Sequence, residues 1–231
     1  MNRAIPQIPV LEMRGVWKTY ATPAGPRHAL HEVNLTIEQG SFVMVTGPSG
    51  SGKSTLLHLA GLLDTPTQGV VWFAGRRVSD LPERDLCQMR KARIGMVFQR
   101  FCLLTRRTAL ENVRFRFRYL EVPPSRATRL AEEALARVGL ADRASQPVRL
   151  MSGGEMQRIA IARAVAQPPD LLIADEPTGN LDRESAERVM DVFRELHASG
   201  ITILLATHNE SLLRHATRRL ICRDGRIENS P

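Results

Sequence analysis

Four short β-rich runs, at residues 10–16, 33–37, 42–46 and 70–73, are set off by Gly and Pro and predict strands. Residues 53–63 carry helical spacing instead. Strand signals then fade: residues 125–138 and 152–166 read as helices, and the pairs Pro123-Pro124 and Pro168-Pro169 bracket most of this region. Two unbroken apolar runs, 171–174 and 201–207, flank a helical stretch at 184–198. A strand buried on both faces needs no polar alternation, so such runs separated by helices predict a parallel sheet. The expected architecture is an α/β core interrupted by a largely helical insertion, roughly residues 100–165. The whole of 1–231 is expected to form one compound domain.

Length and composition narrow the class. At 231 residues the chain supports one well-buried core, and 43% hydrophobic with 24% charged residues is an ordinary globular balance that argues against disorder. Its apolar runs fall far short of the roughly 20 residues a membrane span needs. Residues 1–10 hold one Arg and scattered apolar positions around two prolines, which is no signal-peptide core. Cys87, Cys102 and Cys222 lack C-x-x-C spacing, so neither a disulfide framework nor a zinc knuckle is supported. They are expected as reduced, mostly buried thiols of a cytosolic protein.

The chemistry concentrates in two places. Gly47-Pro48-Ser49-Gly50-Ser51-Gly52-Lys53-Ser54-Thr55 follows a strand and opens a helix, the setting that gives G-x-x-x-x-G-K-[ST] its meaning. Glycines let backbone N–H groups turn around phosphate oxygens, and the helix N-terminus adds roughly half a positive charge. Lys53 is expected to reach the β- and γ-phosphates, and the Ser54 hydroxyl to complete a Mg²⁺ shell. Downstream, an apolar strand delivers Asp175 and Glu176 at its end, where ligands of parallel sheets bind. Neighbouring strand residues point to opposite faces, so the two carboxylates take different work. Asp175 suits Mg²⁺, directly or through water, and Glu176 suits polarising an attacking water.

Met151-Ser152-Gly153-Gly154-Glu155 precedes the second of these strands. Ser152 and Glu155 have capping-box spacing, which by itself only starts a helix. Two glycines there cost backbone entropy unless something approaches closely. Bare amides beside a hydroxyl at a helix N-terminus form an anion site, expected to serve a phosphate held by another subunit.

At this point the chain resembles the nucleotide-binding subunit of ABC ATPases, along essentially its whole length. The resemblance implies a P-loop NTPase (RecA-like) parallel-sheet core with an antiparallel β edge and an inserted helical subdomain. It also implies that ATP is sandwiched between the phosphate loop of one protomer and Ser152, Gly153 and Gly154 of another. By the same resemblance Tyr20 stacks on adenine and Thr55 joins the α-phosphate contacts. Gln99 senses Mg²⁺ and couples to a membrane subunit, Asp182 lies in the loop crossing the dimer interface, and His208 meets the γ-phosphate. More narrowly, Ser54–Leu59, Leu63–Thr67, Thr108–Val113 and Ala174–Asp182 resemble the lipoprotein-release (Lol-type) and macrolide-export (MacB-type) group, with FtsE a close relative. Such subunits drive a separate permease from the cytoplasmic face of the inner membrane. Met151, Asn209 and Arg100 depart from the usual pattern and bear on partner identity. Alternatives are a soluble ABC ATPase acting on nucleic acid or ribosomes, an FtsE-like cell-division regulator, and a regulatory nucleotide-binding module without catalysis.

Charge completes the picture. The net charge is +8, and residues 100–150 hold eleven Arg and no Lys against five acidic residues, a net +6. Within that segment residues 113–119 alternate apolar and basic positions with period two, which predicts a strand; the resemblance places them in the helical insertion instead. Arg interleaved with aromatics also fits a platform for single-stranded nucleic acid or a solvated element. A surface apposed to a permease and anionic head groups is the favoured reading.

Overall fold

The computed structural model describes residues 8–23 and 25–229. In chain order its elements are β1 (Leu11–Thr22), β2 (Gly25–Ile37), β3 (Phe42–Thr46), α1 (Lys53–Ala60), β4 (Gln68–Phe73), β5 (Arg76–Arg77), α2 (Glu83–Arg93) and β6 (Ile94–Val97). They continue with α3 (Ala109–Arg114), α4 (Pro124–Arg137), α5 (Gly153–Val165), β7 (Leu171–Asp175), α6 (Arg183–Ala198), β8 (Thr202–Ala206), β9 (Arg218–Arg223) and β10 (Arg226–Asn229).

Six strands form a sheet in the order β10-β9-β3-β8-β7-β6, parallel throughout except for β10, which runs antiparallel at the edge. The remaining antiparallel strands are a separate four-stranded sheet, β2-β1-β4-β5. The parallel strands are buried on both faces, and strict alternation sorts their side chains into two cores. Phe42, Met44, Leu172, Ala174, Ile203 and Leu205 pack with residues of α3, α4, α5 and α6. Val43, Val45, Leu171, Ile173, Leu204 and Ala206 pack with α1 and the antiparallel sheet. The unbroken apolar runs thus follow from having a core on either side. Among the described residues no helix is long and apolar enough to cross a membrane.

Several expectations are corrected. Residues 113–119 are not a strand: α3 ends at Arg114 and a 3-10 turn follows over Phe115–Phe117. Thr108 and Glu111 form a reciprocal capping box that starts the helix. Val113 and Phe117, four apart, both turn inward, while Arg114, Phe115, Arg118 and Tyr119 stay exposed. A helical i, i+4 pair can coincide with every second residue of an alternating run, which is why the pattern misleads. β2 begins eight residues before its apolar run, because its first half is the exposed arm of a hairpin. The polar α2 (only Leu86 and Met89 buried), the short β6, and the β9–β10 hairpin were without a signal strong enough to predict them. Of the cysteines only Cys222 is buried; Cys87 is half-buried and Cys102 exposed.

Candidate functional site

β3 runs straight into the phosphate loop, and α1 leaves it. Gly52 caps α1 at φ +112° and no side chain caps the helix, so its first N–H groups are left for a ligand. The loop's shape is enforced from behind. A Cβ on Gly47 would lie 2.0 Å from the Cys222 carbonyl oxygen, and one on Gly52 would lie 2.5 Å from that of Ala29. Ser51 accepts from the Gly225 N–H through its carbonyl at 2.8 Å, and the Cys222 thiol approaches the same oxygen at 3.1 Å.

The loop opens on a cavity of about 610 Å³ lined by Tyr20, Thr22, Arg27, Ala29, Ser49, Gly50, Gly52, Lys53, Ser54, Thr55, Gln99, Glu176 and His208. Most sequence-predicted residues therefore meet in one place. Gly47, Pro48 and Ser51 do not line it; they hold the loop's fold. The Lys53 ammonium donates to the Gly47 and Pro48 carbonyls at 2.8 and 2.9 Å. With three N–H donors, it keeps one for a ligand.

Asp175 ends β7 beside this cavity. Its Oδ1 is buried with no hydrogen-bond partner among the described residues. Burial pushes its carboxyl above the ordinary range; a hydrogen bond from Ser54 opposes that, and the neighbouring Glu176 charge adds to it. A buried, unpartnered carboxylate oxygen next to a hydroxyl is a donor set suited to a hard, oxygen-seeking cation.

Glu176, the next residue, adopts φ +48°. A non-glycine residue held in left-handed conformation costs about 1–3 kcal/mol and marks a side chain aimed on purpose. The aim is toward His208: Nδ1 lies 2.6 Å from Glu176 Oε2, and the His208 backbone N–H adds a longer contact at 3.4 Å. His208 itself is largely exposed on the loop after β8. Gln99 follows β6; its carbonyl accepts from the Asn180 side chain at 3.1 Å, tying the loops after β6 and β7 together.

On the antiparallel sheet, Tyr20 presents its ring to the cavity while its hydroxyl donates to Asp64 Oδ2 at 2.9 Å. Asp64 also accepts from the buried Lys18, whose ammonium sits 5.0 Å from the Tyr20 ring centroid. Burial pushes the Asp64 carboxyl up, but the Lys18 and Tyr20 hydrogen bonds prevail and hold it below the ordinary carboxylate range.

Ser152, Gly153, Gly154 and Asp182 lie outside this cavity. Ser152 and Glu155 form the expected capping box, but the hydroxyl is not free: it donates to Glu155 Oε2 at 3.0 Å and accepts from the Glu155 N–H at 3.3 Å. Gly154 is buried against α6, where a Cβ would meet Ser185 at 2.9 Å. Asp182 caps α6, accepting from the Ser185 N–H at 2.9 Å and its hydroxyl at 2.7 Å.

The combined geometry of phosphate loop, paired carboxylates and histidine has a counterpart among known proteins. Residues 30–179 match the family described as ABC transporter. The chain belongs to the ABC transporter family. Within that family it is 47% identical over 223 residues to the lipoprotein-releasing system ATP-binding protein LolD 1 of Caulobacter vibrioides, covering 96% of this chain and 95% of that protein. It is 40% identical to the macrolide export ATP-binding/permease protein MacB of Nitrosomonas europaea, covering 95% of this chain but 33% of that longer protein. The solved dimeric ABC transporter cassette MJ0796 superimposes with a TM-score of 0.86 at 38% identity, over 95% of this chain and 97% of that one. The same cassette has been solved in a post-hydrolysis state with ADP and Pi. This ABC cassette shares their α/β core and helices.

Sequence reasoning missed Thr22, Arg27 and Ala29 in the cavity wall, and Lys18 and Asp64 behind Tyr20. Recognising residues 11–37 as one hairpin would have found the first three, since Tyr20 and Arg27 are direct cross-strand partners.

Proposed function

We propose that this chain is the ATP-binding and hydrolysing subunit of an ABC transporter, working as a dimer around two ATP and driving a separate membrane permease from the cytoplasmic face of the inner membrane. The lipoprotein-release and macrolide-export names of its relatives point to one of those two tasks. The observation that carries the reading is one cavity holding Lys53, Ser54, Glu176 and His208, with the orphaned oxygen of Asp175 beside it.

We infer the roles of the individual residues from this cavity together with the family resemblance. Backbone amides at the start of α1 and the spare Lys53 N–H bind the phosphates, and the Tyr20 ring takes the base. Asp175 and Ser54 would hold Mg²⁺, with Gln99 at its edge, and the ion when bound neutralises charge on the β- and γ-phosphates. Glu176, fixed by its bond to His208, polarises the attacking water; the imidazole's other nitrogen remains for the γ-phosphate. Ser152, Gly153 and Gly154 would close over the nucleotide of the second copy, with Asp182 at the interface. The basic surface of residues 100–150 faces the permease and anionic head groups. The placement of the arginine run on helical turns next to the Gln99 loop favours this over a nucleic-acid platform.

Glu176→Gln keeps the shape but removes the base. It should bind ATP, accumulate as an ATP-bound dimer in size-exclusion chromatography, and lose at least about 10²-fold in hydrolysis. Steady-state turnover at the unsubstituted rate would refute the assignment.

A further inference from the structure

The cavity wall contains a basic side chain besides Lys53 that the roles above leave unused. Arg27 lies on β2 directly across the ladder from Tyr20 on β1. Directly opposed residues of an antiparallel pair carry their Cβ atoms about 4.5–5.5 Å apart on one face, so the two side chains leave the sheet together. Both reach the same cavity. The Arg27 guanidinium extends on to the phosphate loop, its Nη2 standing 3.7 Å from the position a Cβ on Gly50 would take. None of the ion pairs among the described residues includes it, although most of them engage other arginines. Gly50 itself is at φ +77° and lines the same cavity.

A nucleotide with its base on Tyr20 and its phosphates in the loop must pass in front of this side chain. We propose that Arg27 is a further nucleotide-binding residue, its guanidinium clamping the phosphate chain between the Tyr20 platform and Gly50. The inference rests on the nucleotide reading of the cavity. It follows from chemistry: a planar guanidinium matches phosphate oxygens with paired, charge-assisted hydrogen bonds, and Arg27 stands at the phosphate loop without an ion-pair partner among the described residues. A contact made equally in ground and transition states strengthens binding without speeding the chemical step, so its loss belongs in KM more than in kcat.

The test is equilibrium binding of ATP, ADP and AMP to the full chain, at low and high salt, with Arg27→Ala and Arg27→Lys beside the unsubstituted protein. Arg27 is exposed, so neither substitution opens the core; thermal unfolding verifies that. Arg27→Ala should weaken ATP about tenfold and AMP less, with a shallower salt dependence, and Arg27→Lys should recover part of the loss because it restores the charge without the fork. KM for ATP should rise by a similar factor. Unchanged ATP affinity in Arg27→Ala, or equal weakening of ATP and AMP, would overturn the proposal. Failure of the unsubstituted chain to bind ATP would instead overturn the nucleotide reading itself.

Discussion

At the residue scale, the side chain that holds Tyr20 in the cavity wall does not itself line the cavity. Asp64 gathers the Tyr20 hydroxyl, the Lys18 ammonium and the Thr65 N–H on one carboxylate. Asp64→Asn retains an acceptor for Tyr20 but leaves the buried Lys18 without a counter-charge. The expected cost is about 1–3 kcal/mol of stability by denaturant unfolding, since a buried charge loses its partner. A severalfold rise in KM for ATP should accompany it as the Tyr20 ring loosens. The pH sign is fixed by the direction of the shift. Because the folded protein holds the Asp64 carboxyl below its ordinary range, the stabilisation is present above that range and is lost as pH falls through the folded value. The Asn variant should lack this part of the acid-unfolding slope.

At the element scale, the crossing of α5 and α6 assigns Gly154 a task that the anion-site reading did not include. Gly154→Ala would drive a methyl into Ser185, 2.9 Å away at both Cβ and Oγ. Overpacking of that kind costs about 1–3 kcal/mol. Thermal unfolding should show the loss, and adding Ser185→Gly should return part of it; an undiminished melting temperature in Gly154→Ala would contradict the crossing. Elements of this sort mark the limit of what sequence could reveal. β3, β7 and β8 were legible because burial on both faces leaves four consecutive apolar residues in each, and the phosphate loop because its spacing is tied to backbone chemistry. α2 and β10 were not, because α2 is polar with only Leu86 and Met89 buried and β10 is short and mostly exposed. At residues 113–119 the periodicity pointed to a strand because one helical face coincided with alternation, while the family resemblance pointed to the helical turns that are there. In the site, Lys53, Ser54, Asp175 and Glu176 could be read from local motifs. Arg27 and Asp64 could not, since only strand pairing and a long-range carboxylate bring them to Tyr20.

At the scale of the whole molecule, part of the +6 of residues 100–150 gathers in one place. A groove of about 430 Å³ lies between α3, its 3-10 extension and the start of α4, with Arg107, Arg114 and Arg118 in its wall beside Phe115. Glu111 is the acidic residue there, and Arg107 already pairs with it at 2.9 Å. Among the described residues Arg114 and Arg118 make no ion pair, though Arg118 lies over the Phe115 and Tyr119 rings, and each is worth about 1 kcal/mol beside an anionic membrane. Arg114→Glu with Arg118→Glu should leave ATP hydrolysis by the isolated chain unchanged and sharply reduce its co-sedimentation with inner-membrane vesicles. Equal co-sedimentation would place the docking face elsewhere.

The brace behind the phosphate loop also bears on the order in which the molecule matures. The loop spans residues 47–55, yet the Cys222 and Gly225 contacts that hold Ser51 come from the β9–β10 hairpin, with Cys222 lying 171 residues further along the sequence than Ser51. A growing polypeptide therefore makes its phosphate motif well before the backing that shapes it. The backing is in place only once the β9–β10 hairpin has formed and β9 has paired with β3.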